Sequence, residues 1–110
     1  MIFHLAARDQ WQSPETYRPR SLEDEGFIHC STANQLGGVA NVLYAGREDL
    51  VLVTIDADAL DAPVVYEDCY ETGRRFPHIY GSITPEAVVS TEPFPPDENG
   101  RFTWESHAER

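Results

Sequence analysis

The chain has 110 residues, 41% of them hydrophobic and 25% charged, with a formal net charge of -11; this is the make-up of one globular domain able to bury its own core. Every basic residue is an arginine (Arg8, Arg18, Arg20, Arg47, Arg74, Arg75, Arg101 and Arg110), and the absence of lysine excludes Schiff-base chemistry, a phosphate-loop lysine and a lysine general base. The acidic surplus also excludes duplex nucleic acid and anionic membrane surfaces as partners, because both are held by many basic side chains.

In chain order, Met1 to Leu5 reads as a first strand, followed by a helical turn from Ala6 to Gln12 that Ser13-Pro14 closes. Trp11 is expected to pack inward. Ser21 caps a short turn from Leu22 to Glu25 that Gly26 ends. Phe27 to Ser31 then alternates, placing Ile28 and Cys30 on one face and Phe27, His29 and Ser31 on the other. Ser31 or Thr32 is positioned to cap a helix, Thr32 and Gln35 have capping-box spacing, and Leu36, Val39 and Leu43 share one helical face as far as Gly46.

Asp49 to Asp56 is apolar on both faces at its middle, which predicts a central strand covered on both sides. Ala57 to Pro63 is a turn, Val64 to Tyr70 a strand broken at Thr72-Gly73, and part of Phe76 to Ile83 another. Ala87 to Thr91 adds a strand, Pro93 to Gly100 is a loop, and Phe102 and Trp104 suggest a short edge strand. The sum is an α+β domain over residues 1–105, a twisted, largely antiparallel sheet with two short helices, followed by a frayed tail at 106–110. The longest apolar run, Leu50 to Val53, is far shorter than a membrane span. The opening Met-Ile-Phe-His carries no basic or signal-like stretch, so a cytoplasmic address is expected, with Cys30 and Cys69 as unpaired thiols.

No strong catalytic or nucleotide-binding signature is present, which directs attention to the histidines His4, His29 and His78 on or beside strands. His29 and Ser31 precede a helix N-terminus, where unpaired N–H groups favour an anion; in the alternative, Ser31 is a cap and His29 a hydrogen-bonded sheet histidine. In Phe76-Pro77-His78-Ile79-Tyr80-Gly81, His78 and Tyr80 share a face, and Gly73-Arg74-Arg75 supplies positive charge for a phosphate. An aromatic-packed turn with solvated arginines is the alternative there. Glu67 is the best isolated carboxylate for charge stabilisation or base catalysis, although most strand glutamates face water.

Five segments, Tyr17 to Leu22, Glu25 to Ser31, Asp49 to Leu52, Tyr66-Glu67 and Phe76 to Gly81, together resemble the bacterial family called Domain of Unknown Function 952. The resemblance runs from about Ile2 to Phe102 and implies a compact relative of the ADP-ribosyltransferase fold. In that fold a first-strand histidine holds the nucleotide, a later strand offers a serine element and a carboxylate stabilises an oxocarbenium ion. His4, Ser31-Thr32 and Glu67 occupy the matching places by resemblance.

The resulting expectation is a domain that binds a nucleotide or another phosphorylated small molecule, with group transfer as its chemistry. His29, Glu67 and His78 are the candidate catalytic residues; His4, Ser31, Thr32, Arg74, Arg75 and Tyr80 are the candidate ligand contacts. No cofactor, metal ligand set or oligomeric state is specified. The alternatives are a catalytically silent nucleotide or ADP-ribose binding module, and a metal-dependent hydrolase built on His29, His78 and Glu67.

Overall fold

The computed structural model describes residues 1–11, 16–68 and 73–103. In chain order these form β1 (Ile2–Ala7), α1 (Arg20–Asp24), β2 (Ile28–His29), α2 (Leu36–Leu43), β3 (Leu50–Ile55), β4 (Val64–Glu67), β5 (Phe76–Ile79) and β6 (Val88–Pro93). The strands make two antiparallel three-stranded sheets, ordered β1-β3-β6 and β2-β5-β4. The expected single sheet is thus divided. Among the described residues a β-bridge links its halves where Phe3 and Ser31 exchange backbone hydrogen bonds of 2.9 and 2.8 Å.

β3 lies at the centre of the first sheet because both of its faces are apolar. Val53 and Ile55 join Ile2, Ala6, Ile28, Cys30 and Ile79 in a core on the side of the second sheet. Leu50 and Leu52 join Phe3, Leu5, Leu36, Ala40, Phe94 and Phe102 in another core that receives α2. Full burial of leucines such as Leu36, Leu50 and Leu52 contributes roughly 1.5–3 kcal/mol each, which explains why these strands are fixed in register.

Several segments differ from the sequence expectation, among them β6, which runs on through Pro93 where a loop is expected. The first strand continues to Ala7 instead of turning helical at Ala6, because Ala6 and Ala7 pair with Val51 and Leu50. The expected cap Ser21 lies inside α1, which starts at Arg20, two residues before the expected Leu22, behind Pro19 and with no side-chain cap; Gly26, at φ 86°, closes the segment as anticipated. α2 begins only at Leu36, since pairing with Phe3 keeps Ser31 extended; Thr32 and Gln35 form one half of the capping box, the Thr32 N–H donating to Gln35 Oε1 at 3.0 Å. Phe102 is not in a strand. Its backbone is satisfied by the Asn41 side chain of α2, which donates to its carbonyl at 2.8 Å and accepts from its N–H at 2.7 Å.

Trp11 packs on Tyr17 with ring centroids 4.8 Å apart, in keeping with the inward position expected of it. Cys30 is a buried free thiol whose pKa burial pushes up. Cys69, Tyr70, Thr72, Trp104 and the tail at 106–110 lie outside the described residues, as does Ser13-Pro14. No helix among the described residues is long and apolar enough to cross a membrane.

Candidate functional site

The second sheet brings His29 and His78 together. They are direct partners in the β2–β5 register, and the Cys30 N–H donates to the Pro77 carbonyl at 3.0 Å, so the ladder bonds flank the pair and do not join it. In such a non-hydrogen-bonded pair the side chains approach most closely. The two imidazoles meet edge to face with centroids 5.3 Å apart.

Each imidazole has its own carboxylate. Glu25 follows α1 and reaches back over Gly26, four positions before His29, so that His29 Nε2 donates to Glu25 Oε1 at 3.0 Å. The pair is accessible, with side chains 39% and 42% exposed. On the β4–β5 hairpin Glu67 opposes Phe76, which makes His78 its diagonal neighbour; His78 Nδ1 donates to Glu67 Oε1 at 2.9 Å. The Tyr80 hydroxyl donates to the same carboxylate oxygen. His78 itself is 1% exposed. It lies under Phe27, whose ring stacks on it at 4.1 Å and also touches Tyr80 at 5.4 Å.

The two chain segments stay close at the open end of the hairpin, beyond Tyr80. A Cβ on Gly81 would stand 2.5 Å from the Ala62 Cβ, so only glycine lets the chain pass at this distance. The Tyr80 N–H donates to the Pro63 carbonyl at 2.9 Å, fixing the end of the hairpin that carries the Tyr80 phenol.

The remaining candidates fall around this cluster. Arg74 and Arg75 are exposed immediately before β5, and Gln35 Nε2 donates to the Arg75 carbonyl at 2.8 Å, which ties the arginine segment to the start of α2. Gly73, at φ 82°, turns the chain into that segment and donates its N–H to Asp68 Oδ2 at 2.7 Å. Thr32 is half-buried with its N–H on Gln35. Ser31 is buried, and its backbone is committed to β1, so it joins the two sheets and does not head a helix.

His4 departs from the expected role of a ligand contact. It is buried on β1, with Nδ1 2.7 Å from the His29 carbonyl oxygen and Nε2 2.9 Å from the Tyr17 hydroxyl. A carbonyl only accepts, so Nδ1 carries the proton and the Tyr17 O–H donates to Nε2. Burial lowers the His4 pKa to about 4 and raises that of Tyr17 to about 12, which keeps both rings neutral. Both His4 nitrogens are therefore occupied inside the protein.

Sequence reasoning missed Glu25, Phe27 and Tyr17. The period of two places Phe27 on the His29 face, which is a usable signal; nothing in the spacing marks Tyr17. Among the described residues no three histidine, cysteine, aspartate or glutamate side chains are grouped so as to hold a metal ion.

Known proteins resemble the chain in family and fold. The family model described as "Protein of unknown function (DUF952)" matches residues 2–91. The crystal structure of protein CC0527 from Caulobacter crescentus is similar, with 26% identity and a TM-score of 0.78, covering 93% of this chain and 92% of that one. The solution NMR structure of the same protein has a TM-score of 0.78 at 24% identity, covering 93% of this chain and 90% of that one. No curated protein matches the chain.

Proposed function

The chain belongs to the DUF952 family, and from that premise we propose that it binds a nucleotide or another phosphorylated small molecule across the His29–His78 face, as an ADP-ribosyltransferase-like domain with group-transfer chemistry. The observation that carries this reading is the pair of adjoining imidazole–carboxylate units, His29–Glu25 and His78–Glu67. Paired in this way, an imidazole is oriented for proton transfer or for donating to an anionic oxygen. Arg74 and Arg75 concentrate positive charge beside the same strand in an otherwise strongly acidic chain, which selects for a local anion over a polyanion. In this reading the accessible His29 is the acid–base residue, His78 beneath Phe27 orients Glu67 as the carboxylate facing the transferred group, and Tyr80, Arg74 and Arg75 are ligand contacts.

One observation favours the binding module as the second reading. Glu67 already accepts from both His78 and Tyr80, and a carboxylate so engaged is poorly disposed to stabilise a developing cation.

Thermal unfolding with inorganic phosphate, AMP and ADP-ribose, together with labelled NAD, tests both. A ligand held at the site raises the melting temperature of the native protein, and His29→Ala and Arg75→Ala reduce the rise while Arg101→Ala does not. Turnover of NAD supports transfer; saturable binding without turnover supports the module. Equal shifts in native and His29→Ala protein, or none with any of the three compounds, would overturn the proposal.

A further inference from the structure

We infer that His4 is a positioning residue for this site: its Nδ1–H, with the ring braced at Nε2 by the Tyr17 hydroxyl, holds the His29 carbonyl where the two sheets part and so keeps His29 opposite His78. The inference rests on the site reading above, yet its test uses no ligand.

In an antiparallel ladder the N–H and C=O groups of successive residues point to opposite edges. Cys30 faces β5, as its bond to Pro77 shows, so His29 and Ser31 face the other edge, toward β1. Ser31 finds its ladder partner there in Phe3. Continuing that ladder by two residues would set position 5 opposite position 29, but the bridge between the sheets stops at Phe3 and Ser31. The His29 carbonyl lies past the end of that bridge, at a part-buried edge where a carbonyl without a donor is costly.

His4 supplies the missing donor. Its side chain leaves β1 on the same face as Ile2 and Ala6, into the core between the sheets, and its Nδ1 is 2.7 Å from that oxygen. An imidazole can present its proton on either nitrogen; the carbonyl, which only accepts, sets it on Nδ1 and leaves Nε2 to accept a bracing bond from Tyr17. Tyr17 makes this bond from a segment anchored independently, since its own N–H and C=O pair with Ile83 at 2.9 and 3.0 Å. The chain Tyr17 O–H to His4 to His29 carbonyl thus fixes, by a side chain, the edge of β2 that has lost its neighbouring strand.

NMR tests this in the native protein and in three variants. In the native protein the His4 ring should show a slowly exchanging proton on Nδ1 and none on Nε2, with scalar coupling across the hydrogen bond to the His29 carbonyl carbon. His4→Leu keeps apolar bulk and removes the donor, so amide exchange at Cys30 and Ile79 should accelerate tenfold or more while Phe94, whose N–H donates to the Leu50 carbonyl on the far side of β3, is unchanged. His4→Asn places an amide near the Nδ1 position and should restore protection. Tyr17→Phe, which removes one hydroxyl and spares the fold, should leave the proton on Nδ1, because the His29 carbonyl only accepts, and should accelerate exchange at Cys30 less than His4→Leu does. A proton on Nε2 in the native protein, or native protection of Cys30 and Ile79 in His4→Leu, would overturn the inference; with these signatures intact, a native protein whose melting temperature none of the compounds above raises would overturn the site reading alone.

Discussion

A buried imidazole with both nitrogens engaged has a pH signature of its own. His4 titrates near its ordinary 6.5 in the unfolded chain and at about 4 in the folded protein, where burial opposes the charged form. Between these values the unfolded state binds the extra proton, so stability is fully present above the unfolded pKa and is lost as the pH falls toward the folded one. The loss is on the order of 3 kcal/mol, because each pH unit separating the two values is worth about 1.36 kcal/mol. Urea unfolding from pH 7 to pH 4 should show this slope in the native protein and a shallower one in His4→Asn. Gly81 offers a second check at this scale. Gly81→Ala should destabilise by about 1–3 kcal/mol through the contact with Ala62, and Ala62→Gly should recover most of it, both read from denaturation midpoints. The period of two brings out His29 and His78 because both sit on short strands with alternating surroundings. Glu25 and Tyr17 escape it because a carboxylate reaching over a glycine and a tyrosine in an irregular segment have no period to follow.

Among the elements, β3 is the plainest to read, since a strand covered on both faces shows an unbroken apolar run. The start of α2 is illegible for the opposite reason. Ser31 and Thr32 are good caps in any local sense, but Ser31 is drawn into pairing with Phe3, a partner distant in sequence, and the helix waits until Leu36. Likewise Phe102 has the residue type of an edge strand, yet the Asn41 amide takes the place of a neighbouring strand. Asn41→Leu should therefore cost about 1–3 kcal/mol, because it removes a donor and an acceptor from one backbone unit at once, while Asn41→Asp, which keeps the acceptor to the Phe102 N–H, should cost less. Equal losses in the two variants would mean that packing of α2, and not this pairing, fixes Phe102.

For the whole molecule, composition sets the class and leaves the architecture open: α+β with antiparallel pairing is legible, while the division into two sheets depends on the Phe3–Ser31 bridge, which has no local cue. The two cores on either side of β1-β3-β6 place Cys30 in the interior, between the sheets. Thiol titration should accordingly find Cys30 unreactive in the folded protein, and denaturation without reductant should release two thiols per chain. Recovery of none would mean that Cys30 is oxidised.

The two halves of the site also differ in how far apart their parts lie along the chain. Glu25 precedes His29 by four positions and Glu67 precedes His78 by eleven, so each imidazole meets its carboxylate by closing a short loop. Bringing β2 to β5 requires closing a far longer one, and the entropy of that step is repaid only when β3 and the core between the sheets are in place. The half-sites should form early and separately, and the histidine pair should be completed last. In refolding followed by pulsed hydrogen exchange, the hairpin amides of β4 and β5 should gain protection before Cys30 does.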